Sequence, residues 1–236
     1  MIVNYLGTKI NYSIVGNGRI PIVFLHGWGG SQESFLFICK YLKFDYRAMF
    51  IDFPPFGKSK EPKKAFTIFD YANIVKKLIV KENFNNSVIV GHSFGGRVAI
   101  ILASSGYARS LILTASAGIK PKRNLKYYFR VYSYKVKKLF NKNANGGSKD
   151  YKKLSSVMKK TFINVVNEYL EPYAKKITCP TILFWGKKDK DTPLYMAKKL
   201  KKLIKDSALL INKNSGHFCY LQDLSKFVAI INYMGV

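Results

Sequence analysis

Histidine is scarce in this chain: His26, His92 and His217 are the only three among 236 residues. Chemistry that needs a base near neutral pH has only these imidazoles to draw on. Cysteine is equally rare. Cys39, Cys179 and Cys219 are odd in number, far apart and without metal-knuckle spacing, which argues against a disulfide framework and against a zinc site. They read as free thiols of a reducing cytoplasm, and neither a metal nor a cofactor is expected. No apolar run approaches the roughly 20 residues that span a bilayer, so no membrane span is expected. Residues 1–7 lack a basic stretch followed by a long apolar core and read as a strand, not a signal peptide. Acidic residues are also few: 13 stand against 40 Lys and Arg, a net charge of +27. Such an excess attracts polyanions. The lysines are spread along the whole chain, however, and no motif for specific nucleic-acid binding accompanies them. The excess therefore reads as a lysine-rich solvated surface.

What is present is an ordinary globular composition, 48% hydrophobic and 22% charged, in a chain long enough for one core. Residues 2–5 and 9–15, followed by the Gly16-Asn17-Gly18 turn signal, predict an opening antiparallel pair. Residues 20–25 are continuously apolar, as a strand buried on both faces requires. A helix is expected from an N-cap at Ser31 to about Leu42. Strands are then expected at 47–51, 88–90, 111–113, 181–185 and 208–211, and helices at 69–80, 97–104, 194–204 and 221–231. Strands alternating with helices predict a mainly parallel, eight-stranded twisted α/β sheet with helices on both faces.

One segment interrupts the alternation. Residues 119–177 hold no clear strand and read as broken helix. They carry sixteen Lys or Arg against Asp150, Glu168 and Glu171, a net of +13, together with ten Tyr or Phe. The expected organisation is a core of residues 1–118 and 178–236. Residues 119–177 form a helical lid inserted over the carboxyl ends of the strands, where an open α/β sheet places its ligand. Many of the aromatic residues are expected to serve only to pack the insertion down.

The chemistry centres on Gly91-His92-Ser93-Phe94-Gly95, which follows an apolar β-branched run and precedes a helical one. A sharp strand-to-helix turn exposes a serine hydroxyl at the top of a sheet and aims helix N–H groups at an oxyanion formed there. A nucleophilic Ser93 needs a base and an orienting acid. His92 adjoins the serine, and neighbours in an extended segment face opposite ways. His26 lies in a glycine loop and is expected to hold that loop by hydrogen bonds. This leaves His217, in a loop after the last strand. For the acid, Asp189 and Asp191 both follow the strand at 181–185, and the residues alone leave the choice between them open.

The chain order Ser93, Asp189, His217 resembles the α/β-hydrolase family, whose triad runs Ser, Asp or Glu, His. The resemblance covers nearly the whole chain. Gly91-His92-Ser93-Phe94-Gly95 matches the nucleophile elbow, and His26-Gly27-Trp28-Gly29 matches the oxyanion loop. Residues 52–59 match the loop after the fourth strand, with Pro55 where relatives often carry glycine. Trp185-Gly186-Lys187-Lys188-Asp189, followed by Thr192-Pro193, matches the acid motif and selects Asp189. Gly216-His217 matches the histidine motif. The resemblance implies a catalytic triad of Ser93, Asp189 and His217. It also implies an oxyanion hole from the backbone N–H groups of Trp28 and Phe94, whose side chains also line the acyl pocket. The function it implies is a cytoplasmic serine hydrolase acting on a small or medium, partly apolar ester. Thioesters, carbon–carbon bonds, and a non-catalytic small-molecule or polyanion-binding role are the alternatives.

Overall fold

A computed structural model of the chain describes residues 1–122 and 154–235. Eight strands form one sheet in the order β1-β2-β4-β3-β5-β6-β7-β8. β1 (Ile2–Tyr5) and β2 (Thr8–Val15) pair antiparallel, and β2 joins β4 (Tyr46–Ile51) antiparallel. From there to the far edge all pairings are parallel, through β3 (Ile20–Leu25), β5 (Ser87–His92), β6 (Ala108–Thr114), β7 (Thr181–Gly186) and β8 (Ser207–Asn212). β5 is buried along its whole length, as its uninterrupted apolar run demands.

The register decides where function can sit. Leu25 pairs with Ile51 and with Gly91, His92 with Thr114, Thr114 with Phe184, and Gly186 with Asn212. The carboxyl ends of the parallel strands therefore share one edge. The loops carrying Trp28, Ser93, Asp189 and His217 all leave from it.

Helix α2 (Ile68–Lys81) begins with a capping box: Asp70 N donates to Thr67 Oγ1, and Thr67 N donates to Asp70 Oδ2. α3 (Phe94–Ser104) follows β5 directly and is buried on nearly every side. α4 (Ser156–Asn167) and α5 (Glu171–Ala174) lie between β6 and β7 in sequence, and α6 (Leu194–Leu203) follows β7. Part of the predicted lid, residues 123–153, lies outside the described residues.

Two helices differ from expectation. The continuous helix predicted to start at Ser31 is instead a single turn, α1 (Glu33–Leu36), running into a 3-10 helix (Phe37–Tyr41). Its N-cap residue is Gln32, whose side chain is committed to Ser13 and Asp52 and makes no cap bond. Buried Phe35 and Ile38 stand three residues apart, the spacing that stacks side chains on a 3-10 helix. The predicted last helix is divided at Asp223 into α7 (Cys219–Gln222) and α8 (Leu224–Gly235). Asp223 accepts from Asn212 Nδ2 at 2.7 Å and takes a non-helical backbone, the usual effect of an Asp side chain bonded outside the helix. The three cysteines are unpaired, and burial pushes the Cys219 thiol up to about 11, far from a reactive thiolate.

Candidate active site

Ser93 stands between β5 and α3 with φ 51° and ψ −109°, a strained conformation for a residue with a side chain. The surrounding backbone holds it there. Ser93 N donates to the Thr114 carbonyl at 3.2 Å, and the Ser93 carbonyl accepts from Gly96 N at 3.1 Å and Ala117 N at 3.0 Å. The flanking glycines permit the turn. A Cβ on Gly91 would lie 2.7 Å from the Gly95 carbonyl oxygen, and one on Gly95 would overlap the Leu25 carbonyl. A bulkier residue at either place forces strand and helix apart.

Around this turn the three loops converge. His217 Nε2 lies 3.0 Å from Ser93 Oγ, and His217 Nδ1 lies 3.0 Å from Asp189 Oδ2 and 3.2 Å from Oδ1. The geometry fits one tautomer: Nδ1–H donates to the carboxylate and bare Nε2 accepts from the serine hydroxyl. Asp189 is fixed independently. Its Oδ1 accepts the N–H groups of Asp191 and Thr192, each at 2.9 Å, and Oδ2 lies 2.7 Å from Thr192 Oγ1. Burial alone would raise the Asp189 carboxyl. The hydrogen bonds from His217 and from Thr192 outweigh it and hold the group below the usual carboxylate range. Asp191, the other acid in the loop, is exposed.

The remaining histidines have structural partners. His26 Nε2 accepts from Phe53 N at 2.9 Å, so its Nδ1–H donates to the Gly27 carbonyl at 2.7 Å. This ties the 26–30 loop to the 52–59 loop. Asp52 strengthens the tie, accepting from Gln32 N, Asn11 Nδ2 and Lys58 N at 2.8–2.9 Å. His92 turns away from Ser93 and donates from Nε2 to the His217 carbonyl at 3.1 Å. Burial drives His26 down to about 4 and His92 down to about 3, so both are neutral at physiological pH. Between these values and about 6.5 the unfolded chain binds protons that the native state refuses. Stability therefore rises with pH there and is lost as pH falls from 6.5 toward 4. Each histidine contributes a slope of about 1.4 kcal/mol per pH unit. Urea unfolding of His92→Asn at pH 4.5–5.5 is expected to show a slope smaller than wild type by about that amount.

The 26–30 loop rests directly on the nucleophile turn. A Cβ on Gly27 would meet His92 Nδ1 at 2.8 Å and Ser93 Cβ at 3.4 Å. Among the described residues, no protein acceptor takes the backbone N–H of Trp28 or of Phe94. A cavity of about 610 Å³ opens in front of Ser93 and His217, walled by Trp28, Phe162, Phe218 and Tyr220, with Asp191 also lining it. Trp28 lines this cavity. The Phe94 ring is placed differently: it is 3% exposed and packs edge-on against Phe53, Tyr71 and Trp28, supporting the Trp28 wall from behind. Phe162, Phe218 and Tyr220 belong to none of the sequence motifs. The positions of Phe218 and Tyr220 close behind His217 were a usable signal. Phe162 is one of ten aromatics in residues 119–177, and nothing local sets it apart.

A family model described as the alpha/beta hydrolase fold matches residues 20–150. The chain belongs to the α/β-hydrolase family. It is 27% identical to AB hydrolase superfamily protein YisY of Bacillus subtilis, over 92% of this chain and 91% of that protein. It is 26% identical to the pimeloyl-[acyl-carrier protein] methyl ester esterase of Wigglesworthia glossinidia brevipalpis, over 94% and 96%. An esterase structure from Exiguobacterium antarcticum shares the fold with a TM-score of 0.78 at 24% identity, covering 98% of this chain and 97% of that one. This hydrolase is an enzyme, and among its described residues no helix is long and apolar enough to cross a membrane.

Proposed function

We propose that this hydrolase cleaves carboxylic esters with a small or medium, partly apolar acyl group through an acyl-enzyme on Ser93. The observation that carries the reading is the continuous hydrogen-bonded line from Ser93 Oγ through His217 to Asp189, opening on an aromatic-walled cavity. His217 Nε2 takes the hydroxyl proton as Ser93 Oγ attacks the carbonyl carbon. Asp189 holds the tautomer and stabilises the imidazolium. Negative charge on the former carbonyl oxygen is met by the Trp28 and Phe94 N–H groups, which have no acceptor among the described residues. The tetrahedral adduct then collapses, and the proton passes from His217 to the departing alkoxide. Water, deprotonated by His217, repeats the sequence on the acyl-enzyme and releases the carboxylic acid. In this reading residues 119–177 form a cap on a core of residues 1–118 and 178–236, and small-molecule esters are the substrate class.

A thioester is the second reading. It is favoured by the +13 charge of residues 119–177, which suits an anionic acyl carrier. A fluorophosphonate probe and a panel of p-nitrophenyl esters and acyl-CoA thioesters separate these readings. Ester turnover with one probe bound per chain, at Ser93, is the expected result. A preference for thioesters moves the substrate class. Failure of both turnover and labelling overturns the serine-hydrolase mechanism in favour of a binding protein on this scaffold.

A further inference from the structure

Arg97 lies one helical turn beyond Ser93 on α3 and is 7% exposed. Burial lowers its guanidinium to about 10, so it remains charged. Among the described residues no carboxylate lies within ion-pair distance of it. Glu168 and Glu171 act on it only from beyond that distance, and burying a cation so incompletely compensated costs stability that Met or Leu of similar volume would not forfeit. Its hydrogen bonds show what it acts on. Nη1 donates to the carbonyls of Val165 at 2.9 Å and Glu168 at 2.7 Å, at the carboxyl end of α4. That end of a helix presents unsatisfied carbonyls and the negative pole of the macrodipole, both of which a guanidinium satisfies.

α4 carries Phe162, a wall of the cavity in front of Ser93, whose ring stands 5.3 Å from Trp28 at 69°. The helix is also held on the α2 side. Phe66 N donates to Thr161 Oγ1 at 3.0 Å, and Asn164 Nδ2 donates to the Phe66 carbonyl at 3.2 Å. These bonds fix the middle of α4. Among the described residues, Arg97 is the one residue of the nucleophile helix that hydrogen-bonds the end of α4, at Val165, three residues past Phe162, and at Glu168.

We infer that Arg97 is a positioning residue that locks the last turn of α4 to the nucleophile helix, sets the Phe162 wall against Ser93, and thereby fixes how large an acyl group the pocket accepts. The acyl-pocket part of this inference rests on the ester-hydrolase reading. The anchoring part does not, and the two are tested separately.

Amide hydrogen exchange tests the anchor without any substrate. Arg97→Met is expected to speed exchange at residues 160–168 at least tenfold, while β5 and α3 keep wild-type rates. Unchanged exchange in α4, or uniform acceleration across the sheet, overturns the inference. Kinetics test the pocket. Arg97→Met is expected to raise KM for p-nitrophenyl octanoate about tenfold and to leave kcat for p-nitrophenyl acetate within twofold. Arg97→Lys, which keeps a cation at the helix end, is expected to restore most of the octanoate KM. In a Phe162→Ala background the same Arg97→Met change should shift that KM less than twofold, because coupled residues are not additive. A full tenfold shift in both backgrounds overturns action through Phe162. A wild-type enzyme that hydrolyses neither ester counts against the ester reading, and the exchange result still decides the anchor.

Discussion

Ser93→Ala should lower kcat/KM for p-nitrophenyl esters by about 10⁵–10⁶-fold and abolish fluorophosphonate labelling, since triad members act as a unit. The replacement removes one oxygen and leaves the backbone that holds it intact. The three main-chain bonds at Ser93 involve only its N–H and carbonyl, and alanine keeps both. Folding should therefore be preserved, since alanine keeps the Cβ that φ 51° strains and adds no new strain. Residual hydrolysis from binding and from the Trp28 and Phe94 N–H groups should persist at about 10³–10⁴ over water. Stopped assays at high enzyme concentration would detect it. Retention of labelling in this variant would falsify the assignment of Ser93 as nucleophile, because the probe reacts only at an activated hydroxyl.

Asp189→Asn should cost about 10⁴-fold in kcat with little change in fold. The direction follows from the donors around the carboxylate. Oδ1 accepts two backbone N–H groups, so an asparagine must keep its carbonyl oxygen there. Its NH2 then occupies the Oδ2 position, 3.0 Å from His217 Nδ1, and donates to it. That nitrogen must give up its hydrogen, and the imidazole shifts to the Nε2–H tautomer. A protonated Nε2 faces Ser93 as a donor and cannot receive the hydroxyl proton. Nitrogen chemical shifts of His217 should report the tautomer change directly. A variant that loses less than tenfold in kcat, or keeps the Nδ1–H tautomer, shows that Asp189 does not orient the base.

Much of the architecture was legible in the chain because its signals are local. The run at residues 20–25 is apolar at every position, and only a strand covered on both faces has use for that. Gly91 and Gly95 around Ser93 announced a turn that only small residues permit. Counting narrows the histidines to one candidate base, since His26 and His92 are committed to structural partners, and the proposal of His217 as base builds on that. Asp189 and Asp191 could not be separated by their local surroundings in sequence. The structure distinguishes them by direction: two amides and a hydroxyl converge on Asp189, while Asp191 stays exposed. The helix after Ser31 is shorter than its periodicity predicts for a similar reason. Periodicity did not reveal that the Gln32 side chain is claimed by Asp52, a residue twenty positions away.

The sequence by itself determined the order of strands and helices, the strained serine turn and the small set of groups able to act as base or acid. These follow from backbone sterics, apolar periodicity and residue identity, all of which operate over a few neighbouring positions. Tertiary structure alone decided the distances: His217 at 3.0 Å from Ser93, the Phe94 ring behind Trp28 rather than in the pocket, and Phe162 in its wall. The reason is physical. Pocket shape depends on side chains brought together from elements more than a hundred residues apart, and it is set by packing and by long-range bonds such as those from Arg97 to the end of α4.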